Sequence, residues 1–219
     1  MTPTAGAVER EVKLEVDDRF IVPSLDADGS VVVEVLEPRH LDATYYDTAD
    51  LRLLAAGITV RRRTGEGTRW TVKLPTAEVA AAGGLARREI DVVTDDPEPP
   101  AEVLDRIGPH LGGGGLVAVA RLVSSRARLR LSTADGRPIG ELDDDRVAVH
   151  DPRPGDPGSG DATGFREVEV EFGAEADPAA VGLVVDRLVA AGARRASGRS
   201  KVEHALDLLG RTAGGAGER

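Results

Sequence analysis

A chain of 219 residues can bury a substantial core, and 41% of this one is hydrophobic, mostly Val, Leu and Ala. With 28 Lys and Arg against 38 Asp and Glu, the net charge of −10 gives no general attraction to DNA or anionic membrane, and 3% aromatic residues make a base-stacking surface unexpected. Cysteine is absent, which excludes disulfides, thiolate chemistry and Cys-ligated zinc. No apolar run approaches a membrane span and no signal-peptide pattern is present, so a soluble cytoplasmic protein is expected, with neither nucleic-acid nor membrane partners.

In chain order, the first element is VEREVKLEV at 8–16. Glu9, Glu11, Lys13 and Glu15 share one face of that strand, and Val8, Val12, Leu14 and Val16 share the other with Arg10. Period-2 runs rich in β-branched residues predict further strands at 31–36, 40–46, 58–63, 68–74, 86–93, 117–131 (bent near Ser124), 138–149 and 165–173. Helices are predicted in DTADLRLLAAG (47–57), in PEPPAEVLDRIGPHL (97–111), in DPAAVGLVVDRLVAAG (177–192) with Asp177 as N-cap, and from Lys201 to Leu209. Residues 80–84, 112–115 and 151–164 read as turns and loops, and residues 1–7 and 210–219 as disordered ends of a single domain over 8–209.

Several strands carry charge of one sign along one face. Arg61 and Arg63 share a face with Thr59, Lys73 with Arg69 and Thr71, and Arg126 with Arg128 and Arg130. Glu141, Asp143 and Asp145 form an acidic row, as do Glu167, Glu169 and Glu171; Glu89 sits between Arg87 and Asp91. Like charges 5–6 Å apart cost about 3 kcal/mol per pair at an effective dielectric of ~20. Basic rows therefore call for an anion among them, and acidic rows for a divalent cation. A closed antiparallel barrel with an ionic interior and helices outside, an α+β fold, meets both demands. Other motifs stay silent. Gly112–Gly115 lack the Lys-Ser/Thr of a P-loop, and His40, His110, His150 and His204 are scattered without metal-ligand spacing. Tyr45, Tyr46 and Asp47 read as strand-end packing and a turn cap.

Glu9-x-Glu11-x-Lys13 resembles the ExExK signature of the CYTH family, the triphosphate tunnel metalloenzymes. TVRRR (59–63), TVKLP (71–75), RREID (87–91), an Arg-rich strand (126–130), DDRV (144–147), EVEVEF (167–172) and Ser200-Lys201 follow in family order. The resemblance implies an eight-stranded tunnel that binds a small-molecule triphosphate and uses Mg²⁺ or Mn²⁺. It implies metal ligands Glu9, Glu11, Asp145, Glu169 and Glu171, a phosphate cradle of Lys13, Arg61, Arg63, Lys73, Arg126 and Arg128 with Glu89 in the tunnel, and catalytic roles for Glu169, Glu171 and Lys201. One departure stands out: Ser124-x-Arg126 replaces the Lys-x-Arg of many relatives, so that Arg121 or Arg128 supplies a second cation or the site is one cation short. Glu15 and Glu167 share the inward parity at the tunnel rims.

With no His, Ser or Cys nucleophile evident in the tunnel, direct attack by water is expected, and the general base stays open among Glu169, Glu171 and a lysine. The resemblance favours hydrolysis of inorganic tripolyphosphate. Nucleoside or thiamine triphosphate hydrolysis, cyclisation of ATP and non-catalytic polyphosphate binding are the alternatives, and the chain is expected as monomer or homodimer.

Overall fold

The alternating strands close on themselves. In a computed structural model, which describes residues 6–64, 67–153, 163–196 and 198–211, eight strands form the barrel: β1 (Ala7–Val16), β2 (Val31–Asp47), β3 (Thr59–Thr64), β4 (Arg69–Pro75), β5 (Leu85–Val93), β6 (Val117–Thr133), β7 (Pro138–His150) and β8 (Gly164–Phe172). Their order around the barrel is β1-β5-β4-β3-β2-β6-β7-β8, with β8 returning to β1, and every ladder is antiparallel. A two-residue strand, β9 (Arg194–Arg195), adds to β1 beside Leu14 and Glu15. Of the ends read as disordered, Ala7 opens β1 and Arg211 donates to the Val119 carbonyl at 2.6 Å. Residues 1–5 and 212–219, and most of the 151–164 loop, lie outside the described residues.

Helices cover the apolar outer face. The helix α3 (Pro178–Ala190) begins as its sequence dictates, with Asp177 accepting from the Ala179 N–H at 2.9 Å and Pro178 in the first turn. Val181, Val184, Val185 and Leu188 recur at helical spacing and are fully buried against Val12, Leu14, Val168 and Val170 of the barrel. Each such side chain contributes roughly 1.5–3 kcal/mol. The helices α1 (Arg52–Ala55) and α2 (Ala101–Leu111) cover Ile58, Val60, Trp70 and Val72 through Leu53, Val103 and Ile107. Asp47 is the turn cap its position suggests, accepting from the Leu53 and Leu54 N–H groups at 2.9 Å.

Two features differ from the pattern read along the sequence. Residues 31–36 and 40–46 belong to one strand, because a bulge between Leu36 and Arg39 shifts the β2–β6 register. Before it, Glu34 and Leu36 stand opposite Arg130 and Arg128; after it, Arg39 and Leu41 stand opposite Arg126 and Ser124. The bulge thus switches which parity faces inward, and Pro38, which cannot donate to a ladder, sits within it. The second feature is α4 (Lys201–Leu208). Its Val202, Ala205 and Leu206 pack with Ala43, Leu122, Val147 and Val149, which have the inward parity of their strands, so α4 crosses one end of the barrel and plugs it.

Candidate active site

Strand register assembles the acidic wall. Along β1, β8 and β7, Glu11 stands opposite Glu171, Lys13 and Asp143 opposite Glu169, and Asp145 opposite Glu167. A slip of one residue would send these carboxylates into the valine layer, which pins the register. A Cβ on Gly140 would collide with the Glu171 carbonyl oxygen, so glycine lets β7 close on β8 here. Asp145, Glu167 and Glu169 are buried, and one carboxylate oxygen of each lies within 4.8 Å of the others.

Three cations neutralise that cluster. Lys201 Nζ lies 2.8 Å from Asp145, 2.5 Å from Glu167 and 2.7 Å from Glu169. Arg126 grips Asp145 with both ends of its fork, at 2.8 and 2.6 Å, and also engages Asp143 and Glu169. Lys13 donates to Glu169 and stands 3.5 Å from Glu11 and 3.8 Å from Glu167. Burial by itself disfavours carboxylate charge, but Lys201 and Arg126 hold Asp145 below its ordinary range, and Lys13, Lys201 and Arg126 hold Glu169 well below. Glu167 moves the other way, raised by burial against the pull of Lys201 and Lys13. Burial likewise works against the ammonium groups, yet the surrounding carboxylates raise both Lys13 and Lys201 above an ordinary lysine.

Facing this wall, β3 supplies Arg61 and Arg63, and β4 supplies Lys73 opposite Glu89 of β5. Lys73 donates to Glu9 and lies 3.1 Å from Glu89. Arg63 is pushed down to about 10, first by burial and then by the like charges of Arg61, Arg69 and Arg126. An anion placed there would relieve all four cations. At the rim, Glu171 is exposed as a residue, yet its carboxyl is crowded. Burial first, then Glu9, Asp143 and Glu11 against Lys73, push it up to about 7. Asp143, 3% exposed, is raised to about 6, chiefly by burial.

These side chains share a cavity of about 220 Å³. It is lined by Glu9, Glu11, Lys13, Arg61, Arg63, Lys73, Glu89, Arg126, Asp145, Glu169, Glu171 and Lys201, which is every residue given a metal, substrate or catalytic role from the sequence except Arg128. Arg128 points to the same side but is held by Glu141 at 2.6 Å and lies 3.7 Å from Asp143. Arg121 forks onto Asp42 at 3.0 and 2.6 Å with nearly half its side chain exposed, and so does not supply the second cation either. Sequence reasoning passed over Asp143, whose parity with Asp145 was visible, and left Glu167 at the rim although it is buried with the acidic cluster. It missed Tyr45, Arg39 and Arg87, which also line the cavity; Tyr46, one residue on, packs against Trp70 at 4.9 Å on the outer face.

The N-terminus of α4 aims Lys201. Ser200 accepts from the Glu203 N–H, and the Glu203 carboxylate accepts from the Ser200 N–H at 2.6 Å, a capping box. A cation in the first turn opposes the helix dipole. The ammonium is nonetheless held there by three buried carboxylates.

The chain matches the CYTH domain over residues 7–184. It belongs to the CYTH family. Members of this family are metal-dependent triphosphatases and cyclases that act on triphosphate substrates. An uncharacterized Mycobacterium tuberculosis protein, in strains CDC 1551 and H37Rv, is 31% identical over 215 residues; the match covers 92% of this chain but 40% of those relatives' length. Among solved structures, a candidate adenylate cyclase of Bacillus halodurans superposes with a TM-score of 0.59 at 17% identity, covering 92% of this chain and 98% of that one. A candidate adenylyl cyclase of Hippeastrum with a dominant triphosphatase activity superposes at 0.51 and 19% identity, covering 93% and 97%. At these identities the likeness is one of fold. The CYTH dependence on a metal suits the donor set: Asp145, Glu167 and Glu169 offer clustered carboxylate oxygens, the hard ligands that Mg²⁺ and Mn²⁺ take. Among the described residues, no helix is long and apolar enough to cross a membrane.

Proposed function

We propose that the protein hydrolyses inorganic tripolyphosphate to pyrophosphate and phosphate within the tunnel. The observation that carries this reading is the cavity itself, where facing basic and acidic walls enclose about 220 Å³. Charged side chains dominate its lining, which suits the phosphate chain itself. The dominant triphosphatase activity of the Hippeastrum protein favours hydrolysis over cyclisation.

Arg61, Arg63, Lys73 and Arg126 bind the phosphates and neutralise charge that moves toward the leaving group. Asp145, Glu167 and Glu169, with Glu9 and Glu11 along the same tunnel, would hold Mg²⁺ or Mn²⁺, which would supply Lewis-acid charge neutralisation for the phosphates. Lys13 and Lys201 stay protonated, because their neighbours raise them, and so neither serves as the base. Glu171, raised to about 7 with no ion bound and lowered from there by a cation beside Glu9 and Glu11, takes the proton of the attacking water. Water oxygen bonds to the terminal phosphorus, the bridging P–O bond breaks, and pyrophosphate leaves.

The test is phosphate release from tripolyphosphate, ATP, thiamine triphosphate and long-chain polyphosphate, each with Mg²⁺ and with Mn²⁺. The highest kcat/KM for tripolyphosphate is expected. Binding of all four without turnover would favour a polyphosphate-binding module instead.

A further inference from the structure

The plug that α4 makes is incomplete. Beside its N-terminal turn, a second cavity of about 250 Å³ lies between the first residues of β3 and β5 and the end of β4, and it shares Thr59, Arg87 and Ser200 with the tunnel cavity. Two glycines on its wall, Gly57 and Gly198, take left-handed conformations at φ +71° and +82° and carry no side chain into it. The Glu203 carboxylate on the same wall is turned back onto Ser200, accepting from the N–H at 2.6 Å and the hydroxyl at 2.8 Å.

Arg87 is the basic residue common to both cavities. On β5 it has the inward parity of Glu89, which stands opposite Lys73, whereas Arg87 stands opposite Pro75, the last residue of β4. The guanidinium therefore belongs one inward position beyond the Lys73–Glu89 pair, on the side of Ser200 and past the cradle of Arg61, Arg63, Lys73 and Arg126. A linear polyphosphate carries charge on every unit, so a chain longer than the cradle needs a further cation along its path, not an apolar plug.

We propose that this window beside α4 is a binding site for linear polyphosphate longer than three units, with Arg87 holding a phosphate that lies beyond the cradle. The planar fork of the guanidinium matches a phosphate edge. The rest of the chain leaves the barrel past Gly57 and Gly198 and avoids Val202 and Leu206, whose apolar packing closes the remainder of that end. Tripolyphosphate fills the cradle and stops short of the window. The inference rests on the proposed tripolyphosphate reading.

The experiment is calorimetric titration of tripolyphosphate and of long-chain polyphosphate, each with Mg²⁺, into the full chain carrying Glu171→Gln to block turnover. Arg87→Ala is expected to weaken binding of the long chain about 10- to 100-fold, the range for losing charge-assisted hydrogen bonds, and to leave tripolyphosphate within about twofold. Thr76→Trp, which fills the window from its wall without changing charge, should separate the two ligands in the same way. Arg88→Ala, the exposed neighbour on the opposite face of β5, removes the same charge and should leave both affinities unchanged. In proteins of native circular dichroism, equal losses for both ligands with Arg87→Ala, no loss for either, undiminished long-chain binding by Thr76→Trp, or an equal long-chain loss with Arg88→Ala would each overturn the window while leaving the function standing. A parent that binds no tripolyphosphate removes both.

Discussion

Glu171 sits where two demands on a carboxyl meet. Its crowding raises it to about 7, so it is half-ionised near neutrality, and the proposed chemistry needs the ionised form. With Mg²⁺ bound beside Glu9 and Glu11, which lowers the carboxyl from its metal-free value, kcat/KM for tripolyphosphate should rise with pH and level off below about 7, and Glu171→Gln should lower the rate by about 10²- to 10⁴-fold and remove that limb. Stability should show the opposite slope. Between its unfolded value near 4.5 and its folded value of about 7, the folded state binds the proton and the unfolded state does not, so stability falls as pH rises through that window. Asp143, raised from 3.8 to about 6, adds to the fall. Urea unfolding in chelator at about pH 5 and about pH 8 should show a smaller loss for Glu171→Gln than for the parent; equal losses would count against the raised pKa. At this scale the sequence was most informative wherever parity held, as for Glu9, Glu11, Lys13, Arg61 and Lys73. It failed for Arg39, whose inward placement depends on a bulge that no alternation count reveals.

At the scale of elements, α4 joins stability to the site. Removing Lys201 leaves three buried carboxylates without their shared cation, and breaking a buried pair costs about 3–5 kcal/mol. Lys201→Met should lose about that much in chelator, and Mg²⁺ should restore part of it by binding the same carboxylates. A loss that Mg²⁺ leaves untouched would argue that these carboxylates do not hold the ion. The existence of the helix was legible in its Ser200…Glu203 capping box. Its position across the barrel end was not, because Val147, Val149 and Leu122 carry the same parity as the charged tunnel rows and become a helix seat only when the barrel closes. β2 shows the same limit: Pro38 reads as a strand end, whereas in the barrel it falls at a bulge within one strand of 17 residues.

Across the whole molecule, the order of charged strands was enough to infer a closed barrel, since rows of like charge need enclosure around an ion to be tolerable. The pairing of individual charges was not legible, because it depends on ladder register and on which of several cations reaches a given carboxylate. With Arg61, Arg63 and Arg126 crowded in one cavity, a bound polyanion should stabilise the fold even when turnover is blocked. At 100 times its dissociation constant a ligand adds about 2.7 kcal/mol, which for a domain of this size raises Tm by roughly 5–11 °C. Added salt should diminish that shift only partly, because an enclosed site is screened less than a surface patch. A shift abolished by modest salt would place the anion on the surface instead. The most direct test of the central claim is a phosphorus NMR time course on an equimolar mixture of tripolyphosphate and ATP with the enzyme and Mg²⁺. Tripolyphosphate should disappear first, giving pyrophosphate and phosphate in equal amounts while the ATP signals persist; consumption of ATP ahead of tripolyphosphate, or the appearance of cyclic AMP, would contradict it.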